Sequence, residues 1–420
     1  MTAELTILPN GLRVATDHMP GLRTAAIAIH IRAGARHETE RQNGIAHFLE
    51  HMAFKGTNTR TSLQIAEEIE DVGGFLNAFT GREATVYLAA VLDEDVPLAV
   101  EMLADIVQNS VFEHNEMELE RSVILNEIGE IEDSPTDVVF DALQLTAYPG
   151  QSYGRPIIGS GERVAAFRRK DILQFVDRHY RPERMILSAA GAVRHDELAK
   201  QAEKLFTCAA LPGSDKSPSC RFVGGECRRP KPVEQAQFAL AFESPALMHK
   251  RQAAARIYGV LLGGGSSSRL FTEAREKRGL CYSISAHSSP GSDTGIFILH
   301  ASTGERELPD LAFLCAREIR RSAAGLTDKE IDRAKTQIRV GILMGHESPA
   351  NRIERMATML ALTDRIVPIE ETIERYDCVA REDVEQFAAE LVGRDNAAMA
   401  VCGPVDNAPP LEALLARMSN

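Results

Sequence analysis

The segment His47-Phe48-Leu49-Glu50-His51 places two histidines and a glutamate within five residues. On a helix, residues four apart project from one face, one turn above the other. His47 and His51 could therefore chelate a zinc ion, with Glu50 beside whatever the metal binds. The same string could also arise by chance on a solvated helix. The string alone leaves both interpretations open.

A catalytic zinc usually has three protein ligands and an open position for water. Glu120 and Glu127 are seven residues apart, or two helical turns, so both carboxylates share one helix face. Glu127 could complete the site, while Glu120 could hold a ligand or water from outside it. Four other glutamates crowd the same region: Glu116, Glu118, Glu130 and Glu132. Spacing alone does not distinguish Glu127 from these neighbours, and a solvated acidic helix is the alternative.

Apolar patterning predicts the elements that must position these residues. The Asn43-Gly44 turn opens the helix with the two histidines, and Ser62 is predicted to cap the next helix, over 63–72. The pattern places the other early elements as follows: a hairpin over 4–16, a strand over 24–32, paired strands over 76–80 and 85–91, and helices over 96–109 and 116–132, with a break at Pro135.

The chain repeats itself in outline. Residues 185–193 and 397–405 are each an apolar strand that turns at glycine. At a similar offset of about 210 residues, the helix of His47 falls on 257–262, which has apolar spacing and no metal ligand. The sequence therefore predicts two copies of one α+β unit, of which only the first has a metal site. We assign a zinc-binding domain to 1–210, a Pro/Gly/Ser-rich linker to 211–232 and a homologous domain without metal to 233–420.

Composition and charge narrow the function classes. The 420 residues include 47 basic and 60 acidic ones, and the net charge of −13 argues against a nucleic acid partner, which needs cationic patches. It is compatible with a basic peptide substrate, and also with simple solubility. Seven scattered cysteines without a CxxC pair indicate reduced thiols. With no signal peptide or apolar membrane span recognisable, we expect a soluble cytoplasmic protein with no membrane partner.

The segment 47–57 followed by Glu120 and Glu127 resembles the M16 (pitrilysin) zinc peptidases, in particular the M16B subfamily of the mitochondrial processing peptidase β-subunit and its bacterial homologues. The order H-x-x-E-H is the inverzincin signature. In this family the third ligand is a glutamate about 76 residues beyond the second histidine. Here 127 − 51 = 76, so the resemblance selects Glu127, and a glutamate at the position of Glu120 is also a family feature.

The resemblance implies a fold, a cofactor and a mechanism. The fold is α+β, with two homologous domains that each pack a mainly antiparallel sheet with helices, as in the LuxS/MPP-like metallohydrolases. The cofactor is one Zn²⁺ per chain, bound by His47, His51 and Glu127. Glu50 is not a ligand but the general base that takes a proton from water and can return one to the leaving amine.

The resemblance also implies substrate-binding residues in the first half. Asn77, Ala78 and Phe79 match an exposed edge strand that pairs with the substrate backbone, although a buried strand pair is the alternative from sequence. Phe54 matches a residue lining the pocket for the residue after the cut. A core phenylalanine is the other interpretation, and the two roles are compatible.

The resemblance implies two further pairs of site residues, one acidic pair and one arginine–tyrosine pair in the second half of the chain. Asp137 and Asp141 fall where the processing peptidase β-subunit has acids that receive an arginine before the cut, although surface acids are common. Arg275 and Tyr282 resemble the pair that M16 enzymes place opposite the zinc, where it binds substrate and steadies the oxyanion. The preceding Gly263-Gly264-Gly265-Ser266 lacks the Gly-Lys-Ser/Thr ending of a phosphate loop, so we interpret it as a flexible loop.

We therefore expect a zinc metalloendopeptidase that hydrolyses peptides or unfolded segments, with basic, presequence-like segments among them, inside an enclosed chamber. Family members of this length work as two chains, and a chain with both the metal site and Arg275/Tyr282 is expected to be a homodimer with shared active sites. One alternative is a non-catalytic scaffold like the core proteins of the bc1 complex. Another is a subunit that is active only with a different partner chain.

Overall fold

The computed structural model describes residues 3–208 and 219–419. The chain divides into two compact units. Unit 1 comprises Met1–Ile128, Pro156–Pro218 and Leu343–Pro368, and unit 2 comprises Gly129–Arg155, Ser219–Ile342 and Ile369–Asn420. Each unit is built around one β-sheet.

The sheet of unit 1 has six strands in the order β1-β2-β6-β3-β5-β4, and all neighbouring pairs are antiparallel except β2–β6. The strands are β1 (Ala3–Ile7), β2 (Arg13–His18), β3 (Thr24–Ile31), β4 (Phe75–Thr80), β5 (Thr85–Leu92) and β6 (Met185–Gly191). The first eight helices are α1 (Ile45–Ala53), α2 (Ser62–Asp71), α3 (Val96–Gln108), α4 (His114–Asp133), α5 (Pro135–Ala147), α6 (Gly161–Ala166), α7 (Arg169–His179) and α8 (His195–Leu205).

The sheet of unit 2 has five strands in the order β7-β11-β8-β10-β9, and all neighbouring pairs are antiparallel except β7–β11. The strands are β7 (Gly225–Pro230), β8 (Gln235–Glu243), β9 (Ser283–Pro290), β10 (Gly295–Gly304) and β11 (Ala398–Gly403). The later helices are α9 (Gln252–Gly263), α10 (Leu308–Ser322), α11 (Asp328–Gly345), α12 (Pro349–Thr363), α13 (Ile369–Asp377), α14 (Arg381–Val392) and α15 (Leu411–Ser419).

The two sheets share one topology. The order β7-β11-β8-β10-β9 matches β2-β6-β3-β5-β4 strand for strand, including the single parallel pair. The strands that the sequence aligned, β6 and β11, occupy equivalent positions, and α9 follows β8 as α1 follows β3. The predicted α+β class with two mainly antiparallel, helix-packed sheets is confirmed.

Helices from distant parts of the chain cover the sheets. In unit 1, the apolar face of α12, including Ile353, Met356 and Leu360, packs on small residues such as Ala26 and Ala28 of β3. In unit 2, one sheet face packs against α9, α10 and α14, and the other against α5. The sheet of unit 2 is therefore buried on both sides where these helices lie.

The compact units differ from the predicted division into domains 1–210 and 233–420. Residues 129–155 belong to unit 2 because the apolar face of α5, with Val139 and Leu143, packs on its sheet. Residues 343–368, which contain α12, belong to unit 1. A sheet can bury its apolar face under any amphipathic helix that reaches it, whatever that helix's place in the chain.

Two smaller predictions also need correction. The predicted linker 211–232 contains β7, and its residues 211–218 lie outside the described part of the chain. Glycine and proline concealed β7 in the sequence pattern. This strand tolerates Pro230 because it lies at the sheet edge and, among the residues that the structure describes, pairs only with β11. At α2, the cap is Thr61 and not Ser62: Oγ1 of Thr61 accepts a hydrogen bond from the Gln64 N–H at 3.2 Å.

Within the described residues, none of the helices combines the length and apolar character needed to cross a bilayer.

Candidate metal centre

The two histidines lie on α1, a helix held by its apolar side. Its buried residues are Ile45, Ala46, Phe48, Leu49, Met52 and Ala53. Gly44 starts the helix at φ +96°, and a Cβ there would lie 2.5 Å from the Ile158 carbonyl oxygen, so only glycine fits this entry turn. With the apolar side packed, His47 and His51 project together, and their ring centroids are 4.6 Å apart. The predicted i, i+4 pairing of the imidazoles is present.

Helix α4 brings a third candidate ligand to the histidines. Oε2 of Glu127 lies 3.7 Å from Nε2 of His47 and 3.6 Å from Nε2 of His51. Ligand atoms that each lie about 2.1 Å from one tetrahedral zinc are roughly 3.4 Å apart, so these distances fit such an ion. Oε2 of Glu127 is also a buried carboxylate oxygen without a hydrogen-bond partner among the described residues. Two imidazole nitrogens and a carboxylate oxygen are donors that suit Zn²⁺.

The ionisation of His47 favours metal binding. Burial, followed by the nearby His51 ring, lowers the pKa of His47 to about 4. The imidazole is therefore neutral near pH 7, which is the form that binds a metal. No other group of three His, Cys, Asp or Glu side chains with converging ligand atoms occurs within the described residues.

Glu120 contacts the site from outside the ligand set. Its Oε2 lies 3.0 Å from Nδ1 of His51, and its Oε1 lies 2.6 Å from Nζ of Lys55. The Glu120 side chain is only 7% exposed, so its charge needs a partner, and Lys55 supplies one. Glu120 and Glu127 lie on one face of α4 with the buried Met117 and Ile124, as their seven-residue spacing predicts.

Glu50 lies beside the histidines and is held by β4. Oγ1 of Thr80 donates a hydrogen bond to Oε2 of Glu50 at 2.5 Å. Burial raises the pKa of Glu50, and the hydrogen bond from Thr80 opposes this rise. A partly desolvated carboxylate is a stronger base than one in water.

The predicted substrate strand lies at the edge of its sheet. β4, with Asn77, Ala78 and Phe79, pairs with β5 and has no other strand partner among the described residues. Phe75 and Phe79 are 54% and 44% exposed, whereas Ala78 is buried. β4 is therefore an exposed edge strand, and the pairing of a substrate along it stays a prediction. Phe54 directly follows the last residue of α1 and lies partly buried near Tyr87, with ring centroids 6.2 Å apart.

The remaining predicted residues belong to unit 2. Arg275 lies in a π-helical turn, Phe271–Glu276, and its guanidinium carbon is 5.3 Å from the ring centroid of Tyr282, which is 75% exposed. Asp137 and Asp141 lie one turn apart on α5, where Asp137 is exposed and Asp141 is half-buried. The structure thus brings the two residues of each pair together.

Sequence reasoning missed two residues that contact the candidate site, Lys55 and Thr80. Lys55 lies just beyond the end of α1, so helical spacing does not relate it to His51 and no local pattern indicated it. Threonine is common in strands, and no local signal distinguishes Thr80.

Comparisons with known proteins agree on one family. Residues 13–161 match the family described as "Insulinase (Peptidase family M16)", and residues 166–338 match the family described as "Peptidase M16 inactive domain". An uncharacterized zinc protease of Rickettsia bellii is 38% identical over 94% of this chain and 96% of its own. The mitochondrial-processing peptidase subunit beta of Mus musculus is 34% identical over 99% of this chain and 87% of its own.

Two solved structures share the fold. A protease from Helicobacter pylori superposes with a TM-score of 0.88 at 22% identity, covering 96% of this chain and 99% of that one. A chain of Complex III2 from Candida albicans also superposes with a TM-score of 0.88, at 21% identity and 99% coverage of both. At these identities the likeness concerns the fold alone.

Proposed function

Because the chain belongs to the M16 (insulinase) family of peptidases, and its relatives are consistent with the M16B subfamily, we propose that it is a zinc-dependent endopeptidase acting on peptides or unfolded segments. One observation carries the proposal: Oε2 of Glu127 lies 3.6–3.7 Å from Nε2 of both His47 and His51. These three residues would hold one zinc ion per chain. When bound, zinc supplies Lewis acidity, which polarises a peptide carbonyl and acidifies water.

Glu50 would act as the general base. Its carboxylate, one residue from His51 and made more basic by burial, accepts a proton from the attacking water. The same carboxyl group then donates a proton to the amine nitrogen that leaves. His47, His51 and Glu127 remain as ligands, and Glu120 holds the ring of His51 in place through Nδ1.

The edge of β4 would align the substrate. An extended peptide can add to Asn77, Ala78 and Phe79 as a further strand, because this edge has no partner strand among the described residues. Phe54 would line the pocket for the residue after the cut. Asp137 and Asp141 would attract an arginine before the cut, which makes basic, presequence-like segments the preferred substrates.

We further propose a homodimer that encloses a chamber with shared active sites. Arg275 and Tyr282 would bind substrate and steady the developing oxyanion next to the zinc of the partner chain. The stacking of Arg275 on Tyr282 supports a binding role, since this tyrosine remains 75% exposed. The seven cysteines, all within the described part of the chain, form no disulfide, which supports a cytoplasmic location.

One alternative also has an observation in its favour. A chain of Complex III2 shares the fold, so a non-catalytic core subunit is the second candidate. A subunit active only with a different partner chain is the third. The convergence of His47, His51 and Glu127, with Glu50 beside them, favours the peptidase over a scaffold, which needs no metal ligands.

The experiment is metal analysis and a fluorogenic peptide panel on the purified chain alone. We expect about one zinc per chain and cleavage that a chelator abolishes and zinc restores. Glu50→Gln should retain zinc and lose turnover, whereas Glu127→Gln should lose both. Glu130→Gln, an exposed substitution on the same helix, is the control that should retain both. A wild-type chain that binds zinc but cleaves no peptide would favour the scaffold, and loss of zinc in Glu50→Gln would mean that its role is misassigned.

A further inference from the structure

Thr80 connects two parts of the candidate site, the edge strand β4 and Glu50 on α1. It is the last residue of β4, the strand whose edge would receive the substrate. Its Oγ1 lies 2.5 Å from Oε2 of Glu50 and 3.4 Å from the carbonyl oxygen of Ala46, both on α1. Alternation along β4 places Thr80 on the same strand face as the buried Ala78, opposite the exposed Phe79.

A glutamate carboxylate needs such a contact to hold one orientation. Its terminal torsion has a broad energy profile, so packing of the methylenes alone does not fix the direction of the two oxygens. A hydroxyl donor bonded to a carboxylate makes a short, charge-assisted hydrogen bond, which is among the stronger kinds. Threonine is β-branched and its χ1 is restricted, so the donor itself is held rigidly by the strand.

We propose that Thr80 is a positioning residue, whose hydroxyl orients the Glu50 carboxylate and ties it to the register of a peptide bound along β4. This inference rests on the proposed peptidase function. The backbone that would align the scissile bond and the group that would move the proton are then joined through one side chain. A small shift of the base relative to the peptide is costly, because proton transfer requires hydrogen-bond distance.

The test compares Thr80→Val, Thr80→Ser and Thr85→Val. Valine keeps the shape of threonine and removes the hydroxyl. Thr80→Val should lower kcat between about 10- and 100-fold, with KM for a peptide and zinc content unchanged. Thr80→Ser should restore most of kcat. A crystal structure of Thr80→Val should show the Glu50 carboxylate in a different or a second orientation.

Thr85→Val is the matched control. Thr85 lies directly across from Thr80 on β5, is fully buried, and donates its hydroxyl to the Ala33 carbonyl at 2.9 Å. This variant should lower the melting temperature at least as much as Thr80→Val does, yet keep the wild-type kcat. A general structural role for Thr80 predicts parallel losses in the two valine variants.

The outcomes separate the inference from the function on which it rests. Wild-type protein without chelator-sensitive cleavage would refute the peptidase proposal. Active wild type together with a Thr80→Val variant of unchanged kcat would refute the positioning role alone. An increase in KM without loss of kcat would also refute it, because Thr80 would then contribute to peptide binding and not to the base.

Discussion

Nδ1 of His51 lies 3.0 Å from Oε2 of Glu120. An ionised carboxylate only accepts hydrogen bonds, so Nδ1 carries the ring proton, and this N–H donates a hydrogen bond to Glu120. The lone pair of the ring is then on Nε2, the nitrogen that faces Glu127 at 3.6 Å. One contact outside the ligand set therefore selects both the tautomer and the orientation of a metal ligand.

Glu120→Gln should weaken zinc binding about 10- to 100-fold, the usual cost of losing a carboxylate behind a ligating histidine. Glutamine replaces one of the two carboxylate oxygens with an NH2 group, which cannot accept, so either His51 Nδ1 or Lys55 Nζ loses the oxygen that now faces it. The measurement is competition for zinc with a chromophoric chelator. Glu130→Gln on the exposed face of α4 should bind zinc as the wild type does, and equal affinities in the two variants would contradict the orienting role.

Mixed chains should reveal whether active sites are shared. Glu50→Gln removes the base and Arg275→Ala removes the substrate contact, so each homodimer should be inactive or strongly impaired. In a mixed dimer with shared sites, one site combines intact Glu50 with the intact Arg275 of the other chain, and activity should return. Absence of rescue, despite subunit exchange demonstrated with labelled chains, would argue against the shared site.

Asp137→Asn should reduce kcat/KM for peptides with an arginine before the cut more than for arginine-free peptides. The attraction between the carboxylate and the guanidinium is screened by salt, so the preference for arginine should also weaken as ionic strength rises. The measurement is kcat/KM for a matched peptide pair at low and high salt. The control is Asp133→Asn, because Asp133 is another exposed acid nearby. Equal cleavage of both peptides by the wild type would contradict the proposed role of Asp137 in binding arginine.

His30 should make the fold sensitive to acid. Burial lowers its pKa from 6.5 to about 4, so the unfolded chain takes up this proton before the folded chain does. Above pH 6.5 the group contributes nothing, and stability is lost as the pH falls from 6.5 towards 4, by about 3 kcal/mol in total. His30→Phe should therefore lose less stability than the wild type between pH 7 and 4.5.

Urea unfolding of both proteins at the two pH values measures this difference for His30. Other histidines titrate in both proteins and cancel in the comparison. His114→Gln, at an exposed position, should follow the wild type. An identical pH dependence of the free energy of unfolding in wild type and His30→Phe would contradict the prediction.

The local parts of the site were predictable because helix and strand periodicity are local properties. Four-residue spacing places His47 and His51 on one face, and seven-residue spacing places Glu120 and Glu127 on another. The strands and helices near the site were predicted within a few residues, and the equivalence of β6 and β11 followed from their sequences. The family resemblance supplied the choice of Glu127, which spacing alone could not make.

Only the tertiary structure brought α1, α4 and β4 together. Glu127 lies 76 residues beyond His51 (127 − 51), Glu120 lies 69 beyond it, and Thr80 lies 30 beyond Glu50, so none of these contacts follows from local geometry. The same reason explains the discontinuous units, in which α5 and α12 pack where a sheet offers apolar surface. Sequence spacing specifies which side chains share a face, whereas the packing of faces far apart in the chain decides which of them meet.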